Sequence, residues 1–429
     1  MDYNETAPVN ANLANANPAP EISAAPSGFS RFPSVEAAIR TLRPALPVQC
    51  LHPDRLMEAA RTFIDHFPGH SLYAIKANPD SYVLGKLYEA GIRHFDVASL
   101  AEVRQVREMF PSAHLAFMNP VKSREAIRAA YYQYGVRDFV VDTFDEILKI
   151  VDETDHAPDL LIVVRLGMPK GSAACQLTGK FGCAPDVAVS LLQEAAKVAA
   201  RVGLSFHVGS QTLDPASYVE AIRKGGEVVA RSGVLLSVFD VGGGFPIPGL
   251  GMEIPPLTAF FDVIRDEVAK IGLPADCEIW SEPGRALSGT CVTLVARVEL
   301  RKGDVLYIND GSYGNLLEVA GMGWKNKAVA FRARRGRKVL SKTLAPFRFY
   351  GPTCDSVDYM AGPFLLPDDI NEGDFIALSG MGAYGAATQT WFNGFHSDAK
   401  VEIDPAAAPV AALPRRRASR PRAHLKIVK

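Results

Sequence analysis

The chain has 429 residues, with 46 lysines and arginines against 47 aspartates and glutamates, and a formal charge of −1. That length allows two domains and a large core, and the charge balance gives no pull toward nucleic acid or a membrane surface. No apolar run is long enough to span a bilayer, and the N-terminus lacks a basic region followed by an apolar stretch; a cytoplasmic protein without a signal peptide is expected.

Residues 1–30 are rich in Ala, Asn, Pro and Ser without an apolar period, which predicts a disordered N-terminal extension. The segment 31–52 carries an apolar run, Val48–Leu51, expected to join a β-domain formed later in the chain. Then come eight short runs of β-branched and large apolar residues: Leu72–Ala77, His94–Ala98, His114–Met118, Asp138–Val141, Leu160–Arg165, Leu204–Val208, Leu236–Val241 and Glu278–Ser281. Amphipathic stretches such as SLAEVRQVREMF separate them. Near-continuous apolar strands alternating with helices imply a buried parallel sheet. Eight such units over 53–288 predict an α/β fold of the (β/α)₈ barrel type. From 289 to 403 the text becomes strand-rich (CVTLVARVEL, GDVLYIND, DFIALS), which predicts a second domain of β-sandwich or β-barrel type. Residues 404–429 are Ala/Pro-rich and then basic, from Arg415 to Lys429. Such a tail can bind RNA or acidic partners, but its composition fits a solvated, disordered tail.

The six cysteines, Cys50, Cys175, Cys183, Cys277, Cys291 and Cys354, form no Cys-x-x-Cys pair and no Cys/His cluster of zinc spacing; reduced thiols and no metal are expected.

The unusual residues fall at or just past the C-terminal ends of the eight runs: Lys76, Asp96, Asn119, Arg165, His207, Gly242–Gly244 and Glu282. A barrel gathers those ends on one face. Alone, Lys76 in YAIKAN reads as a strand-end lysine reaching solvent. Buried in a barrel mouth, it is expected to have a depressed pKa and to be a usable nucleophile for an aldehyde. The glycines of DVGGGFP let backbone N–H groups approach a phosphate, although a glycine triplet can equally be a tight turn. The arginine of EPGR suits phosphate, and its glutamate suits a protonated ring nitrogen. His207 can stack on a flat ring, or be a satisfied core histidine.

The segments YAIKANP, FDVASLAEV, FHVGSQ, DVGGGFP, EPGRAL, GPTCDSVD and MGAYGAATQTWFNGF, in this order across roughly residues 35–400, resemble the ornithine/diaminopimelate/arginine decarboxylase family of barrel-type pyridoxal-phosphate enzymes. The resemblance implies pyridoxal 5'-phosphate as cofactor, carried by Lys76 as a Schiff base. Glu282 pairs with the ring nitrogen, His207 stacks on the ring, and Asp96 and Arg165 lie near it. Ser210, Gly243, Gly244, Gly284, Arg285 and Tyr384 bind the phosphate. Cys354 and Asp355 reach in from the partner subunit of a homodimer with two shared sites. Cys354 returns a proton to Cα, Asp355 binds the distal amine and Phe392 packs on the substrate side.

The resemblance also bears on substrate. Cys354–Asp355 is similar to the ornithine branch, whereas the diaminopimelate branch usually has Cys-Glu there. Ornithine decarboxylation to putrescine, a step of polyamine synthesis, is the expectation. The departure is Glu318, which stands where that branch usually has a second aspartate, with Leu317 in place of Tyr or Phe. A glutamate there would favour another diamino acid: lysine, arginine, diaminobutyrate or diaminopimelate. A non-catalytic regulator of this fold is opposed by intact Lys76, Glu282, Arg285 and Cys354. A racemase would need a second base, often a tyrosine, where Cys354 stands.

Overall fold

The computed structural model describes residues 28–169, 171–175, 179–333 and 339–407. The segments expected to be disordered, 1–30 and 404–429, fall almost wholly outside them.

Eight parallel strands close into a barrel: β1 His70–Ala74, β2 His94–Val97, β3 His114–Phe117, β4 Asp138–Val141, β5 Leu161–Leu166, β6 Arg201–Phe206, β7 Val238–Asp240 and β8 Glu278–Ser281. Closure is by β8 on β1, with Trp280 opposite His70. Seven helices follow in alternation: α1 Ser81–Ala90, α2 Leu100–Met109, α3 Arg124–Tyr132, α4 Phe144–Glu153, α5 Pro185–Val198, α6 Ala216–Ser232 and α7 Leu257–Val268. The (β/α)₈ expectation therefore holds.

The alternation is built from local signals. Ser99, Ser123 and Thr143 each accept a backbone N–H at the start of α2, α3 and α4. These are N-caps that stop the strand-to-helix loop at a fixed residue. At α2 the cap is reciprocal: Glu102 accepts the Ala98 N–H at 2.6 Å, so the loop just beyond Asp96 is tied down from both sides. Inside the barrel, Leu72, Ala116, Met118, Val140, Leu161, Val163, Val238 and Trp280 pack as one cluster. The strands' other faces pack on the helices, so both faces of the sheet are apolar and the strands read as continuous runs.

The second domain is a nine-stranded sheet among the described residues, organised around the long strand Val292–Lys302. That strand pairs Val48–Leu51 on one side and Phe375–Ser379 on the other, then bulges between Val298 and Leu300 and pairs Val305–Ile308. The N-terminal strands Arg31–Phe32 and Val48–Leu51 both enter this sheet, through the strand Lys400–Ile403. No helix among the described residues is long and apolar enough to cross a membrane.

Candidate active site

The C-terminal ends of the barrel strands open into a cavity of about 500 Å³, within the range of small-molecule sites. Lys76, Arg165, His207, Ser210, Gly244, Glu282, Gly284, Arg285, Glu318 and Tyr384 all line it. These residues come from five barrel strands' ends, the short helices Arg285–Ser288 and Leu317–Gly321, and one loop of the second domain.

Lys76 does not sit on the strand itself. β1 ends at Ala74, and Ile75–Ala77 form one 3₁₀ turn. The turn lifts the lysine off the sheet and lets it project into the cavity, where 45% of its side chain is accessible. Its Nζ lies 2.9 Å from Asp96 Oδ2, at the end of β2. The expected fall in its pKa does not occur. Burial pushes it down, but Asp96, Tyr384 and Glu282 outweigh burial, and the ammonium is held above its usual range. Desolvation alone would lower the pKa, and the acidic groups that the barrel brings alongside reverse it.

Those carboxylates have opposite fates. Asp96 is 1% exposed and ion-paired through one oxygen, while its Oδ1 is buried without a hydrogen-bond partner among the described residues. Glu282, at the end of β8, is driven well toward its neutral form by burial and by Asp240 and Asp96, with Lys76 and Arg165 pulling the other way. Asp240, at the end of β7, is fully buried and pushed up to about 6, chiefly by burial. This mouth is short of positive charge. A cationic ring nitrogen beside Glu282 would supply it.

His207, past the end of β6, is a neutral ring. Burial, then Arg165 and Lys76, hold its pKa far below the usual value. The Gly209 N–H donates to Nδ1 at 3.0 Å, which leaves the hydrogen on Nε2. A neutral, oriented imidazole offers a flat face without adding charge.

The opposite wall is a backbone cradle. Gly244 has φ +114°, and a Cβ there would stand 2.4 Å from the Gly209 carbonyl oxygen. At Gly243 a Cβ would meet the Glu282 carbonyl at 2.6 Å and the His207 ring at 3.0 Å. Only glycine lets the backbone come this close. Phe245 fixes the segment from behind, with ring contacts to Tyr218 at 5.2 Å and Phe63 at 5.3 Å, while the Tyr218 hydroxyl donates to the Gly243 carbonyl. Arg285 is buried beside the cradle, its Nε and Nη2 each 3.4 Å from Ser210 Oγ. Tyr384 is anchored with a left-handed φ of 54° by its N–H on the Ala77 carbonyl. An amine, a neutral ring stack, an acid short of a cation, and a glycine cradle with an arginine fit the aldehyde, ring, ring nitrogen and phosphate of pyridoxal phosphate.

Cys354, Asp355 and Phe392 do not line this cavity. They lie together elsewhere on the second domain. Cys354 Sγ is 3.3 Å from Asn393 Oδ1, Asp355 Oδ2 accepts the Tyr313 hydroxyl at 2.6 Å, and Phe392 packs on the Tyr313 ring at 4.5 Å. The cysteine is exposed, and exposed Trp391, Phe392, Phe395 and Val357 surround the group. The other cysteines are also free thiols. Glu318 does reach the cavity, but both of its oxygens are taken by Arg285.

The sequence reading missed three features. Asp240 was visible inside DVGGGFP, yet only the fold places it against Glu282. Cys175, Lys180 and Phe181 line the cavity from the segment after β5, part of which forms a ribbon: Ala173–Cys175 pairs antiparallel with Ser210–Thr212. Its Gly- and Ser-rich text reads as plain loop. Lys122 is fully buried behind the Asn119–Pro120 wall, donating to Asn119, Pro120 and Val140 carbonyls and paired with Glu146.

Comparison with known proteins agrees with this chemistry. Residues 54–289 match the family model described as pyridoxal-dependent decarboxylase, pyridoxal binding domain. The chain is 32% identical over 383 residues to the lysine/ornithine decarboxylase of Selenomonas ruminantium, covering 86% of this chain and 93% of that protein. It is 31% identical over 350 residues to the ornithine decarboxylase of Panagrellus redivivus, covering 75% and 77%. Among solved structures, the lysine/ornithine decarboxylase of Vibrio vulnificus complexed with putrescine superimposes with a TM-score of 0.73 at 32% identity, covering 86% of this chain and 97% of that one. The chain belongs to the pyridoxal-dependent decarboxylases, and its cofactor is pyridoxal phosphate.

Proposed function

We propose that this decarboxylase of basic amino acids acts first on L-ornithine, releasing carbon dioxide and putrescine, in a homodimer whose two sites are each shared between subunits. The observation that carries the reading is the accessible Lys76, held by Asp96 and facing Glu282, across the mouth from a glycine cradle with a buried arginine. The ring, when bound, supplies the electron sink for the pair left when the Cα–carboxylate bond breaks.

The chain's own groups do the rest. Lys76 holds the cofactor's aldehyde end and frees the product. Asp96 keeps that amine in place, and Arg165 balances the buried acids. Glu282 keeps the ring nitrogen protonated, and His207 covers one face of the ring. Ser210, Gly243, Gly244, Gly284, Arg285 and Tyr384 hold the phosphate. From the partner subunit, Cys354 returns a proton to Cα, Phe392 walls the substrate side, and Asp355 takes the distal ammonium.

The shared site is supported by the Cys354 group lying outside its own chain's cavity, exposed and ringed by apolar side chains. Ornithine is favoured by Asp355, a short carboxylate already ionised: the Tyr313 hydroxyl and the Val357 N–H hold its pKa below the usual range. Lysine is the second reading, since two of the relatives above are described as lysine/ornithine decarboxylases. A panel of ornithine, lysine, arginine, diaminobutyrate and diaminopimelate, with carbon dioxide and amine measured for each, decides. Ornithine should give the highest kcat/KM, and no turnover of ornithine would overturn the assignment.

A further inference from the structure

Glu318 and Arg285 form the closest ion pair of the cavity wall. Nη1 lies 2.9 Å from one glutamate oxygen and Nη2 lies 2.7 Å from the other. The arginine side chain is 4% exposed, and its guanidinium carbon is 4.3 Å from the Trp324 ring centre and 5.0 Å from that of Tyr384. Two rings thus lie within 5.0 Å of the guanidinium while a carboxylate grips one edge.

A guanidinium has two edges able to make paired hydrogen bonds. Glu318 occupies the Nη1/Nη2 edge. Among the described residues the Nε/Nη2 edge has only the Ser210 hydroxyl, at 3.4 Å from each nitrogen, beside the cradle residue Gly209. That is the edge left for an incoming anion.

We propose that Glu318 is a positioning residue for Arg285. It fixes which edge of the guanidinium faces the glycine cradle, and as the arginine's resident counter-ion it restrains the site's affinity for a phosphate dianion. It does not read the far end of the substrate. This deepens the function proposed above and rests on Arg285 being the phosphate arginine. The physical reason is charge balance: a buried cation already neutralised by a carboxylate gains less from a second anion, and the two anions repel across it. Neutralising Glu318 leaves the cation buried and unpaired, still beside Trp324 and Tyr384, and phosphate then becomes its counter-charge.

The test is calorimetric titration of the cofactor-free full-length chain with inorganic phosphate and with pyridoxal phosphate, for wild type, Glu318→Gln, Glu318→Asp and Arg285→Met. Glu318→Gln should bind inorganic phosphate about tenfold more tightly, and its thermal unfolding should be raised more by added phosphate than that of wild type. Glu318→Asp keeps the charge and should stay within about twofold of wild type. Glu318→Met, neutral and of similar volume, carries the same expectation as Glu318→Gln should the latter not fold. Unchanged or weaker phosphate binding in the neutral variants would overturn the proposal. So would a change in the ornithine-to-lysine rate ratio of the Glu318→Gln holoenzyme, which would put Glu318 on the substrate. Failure of the underlying site assignment has a different signature: Arg285→Met would then bind pyridoxal phosphate as tightly as wild type.

Discussion

The two ends of the barrel are built from the same eight strands and serve different purposes. At the C-terminal mouth, Lys76, Arg165 and Glu282 line a cavity with Asp96 and Asp240 buried beside them, and burial first of all pushes Asp240 and Glu282 toward their neutral form. At the N-terminal base the first residues of the strands are also polar, and they contact one another. His70 and His94 stack at 4.5 Å, His94 and His114 lie 5.0 Å apart, and His114 meets the Trp280 edge at 5.5 Å. Asp138 is held between His114 at 2.6 Å and Arg201 at 3.1 Å. The base is closed by stacked rings and a paired acid. The mouth keeps acids pushed toward their neutral form, and space. In a barrel, stability is drawn from the first kind of end and chemistry from the second.

That contrast breaks most sharply at Lys76. Lys76→Ala should lower decarboxylation by about 10⁴-fold or more, since Lys76 is the amine held by Asp96 at the mouth. Borohydride should fix the cofactor to Lys76 in wild type and to nothing in the variant. A label on another lysine would mean the mouth has been misread.

Asp355 tests the part of the site that the cavity lacks. Asp355→Asn should cut kcat/KM for the preferred diamino acid about 100-fold, on the order of 3 kcal/mol, because a desolvated ammonium would lose its counter-charge. A loss of less than about fivefold would place the distal cation elsewhere.

Subunit mixing tests whether the Cys354 group serves the neighbouring mouth. Inactive Lys76→Ala and Cys354→Ala chains, allowed to exchange fully, should recover about a quarter of wild-type activity, because half the dimers are mixed and each has one intact site. Proven exchange without recovery would sink the shared site.

The base gives the smallest effect, on stability alone. Burial, then His114 and His70, lowers the His94 pKa to about 4. The unfolded chain takes up a proton at the ordinary histidine pKa, 6.5, before the folded chain does. Stability from this residue is therefore present above 6.5 and is lost as pH falls from 6.5 toward 4. His94→Gln should flatten the fall of the unfolding midpoint over that window and leave cofactor fixation at Lys76 untouched. Some slope should remain, since His52, also lowered to about 4, titrates in the same range. An unchanged slope would mean the stacked histidines are not a source of acid sensitivity.

Much of this molecule was legible before folding. The near-continuous apolar runs gave the barrel because both faces of a parallel sheet are covered, and the motifs put Lys76, His207, Glu282 and Arg285 at strand ends. The errors came where local text and spatial neighbours diverge. The run Leu72–Ala77 reads as unbroken strand, yet its last three residues coil into the turn that presents Lys76.

What the sequence determined by itself was the alternation of elements, the closed parallel sheet and the side-chain chemistry placed at strand ends, because period, capping and glycine placement act within a few residues. Only the tertiary structure decided the protonation of the mouth and the placing of Cys354, Asp355 and Phe392 outside the cavity. The pKa of Lys76 depends on Asp96, Tyr384 and Glu282, which are 20, 308 and 206 residues further along the chain. Coulombic and desolvation effects follow distance and burial in the folded chain, and no local pattern in the text records them.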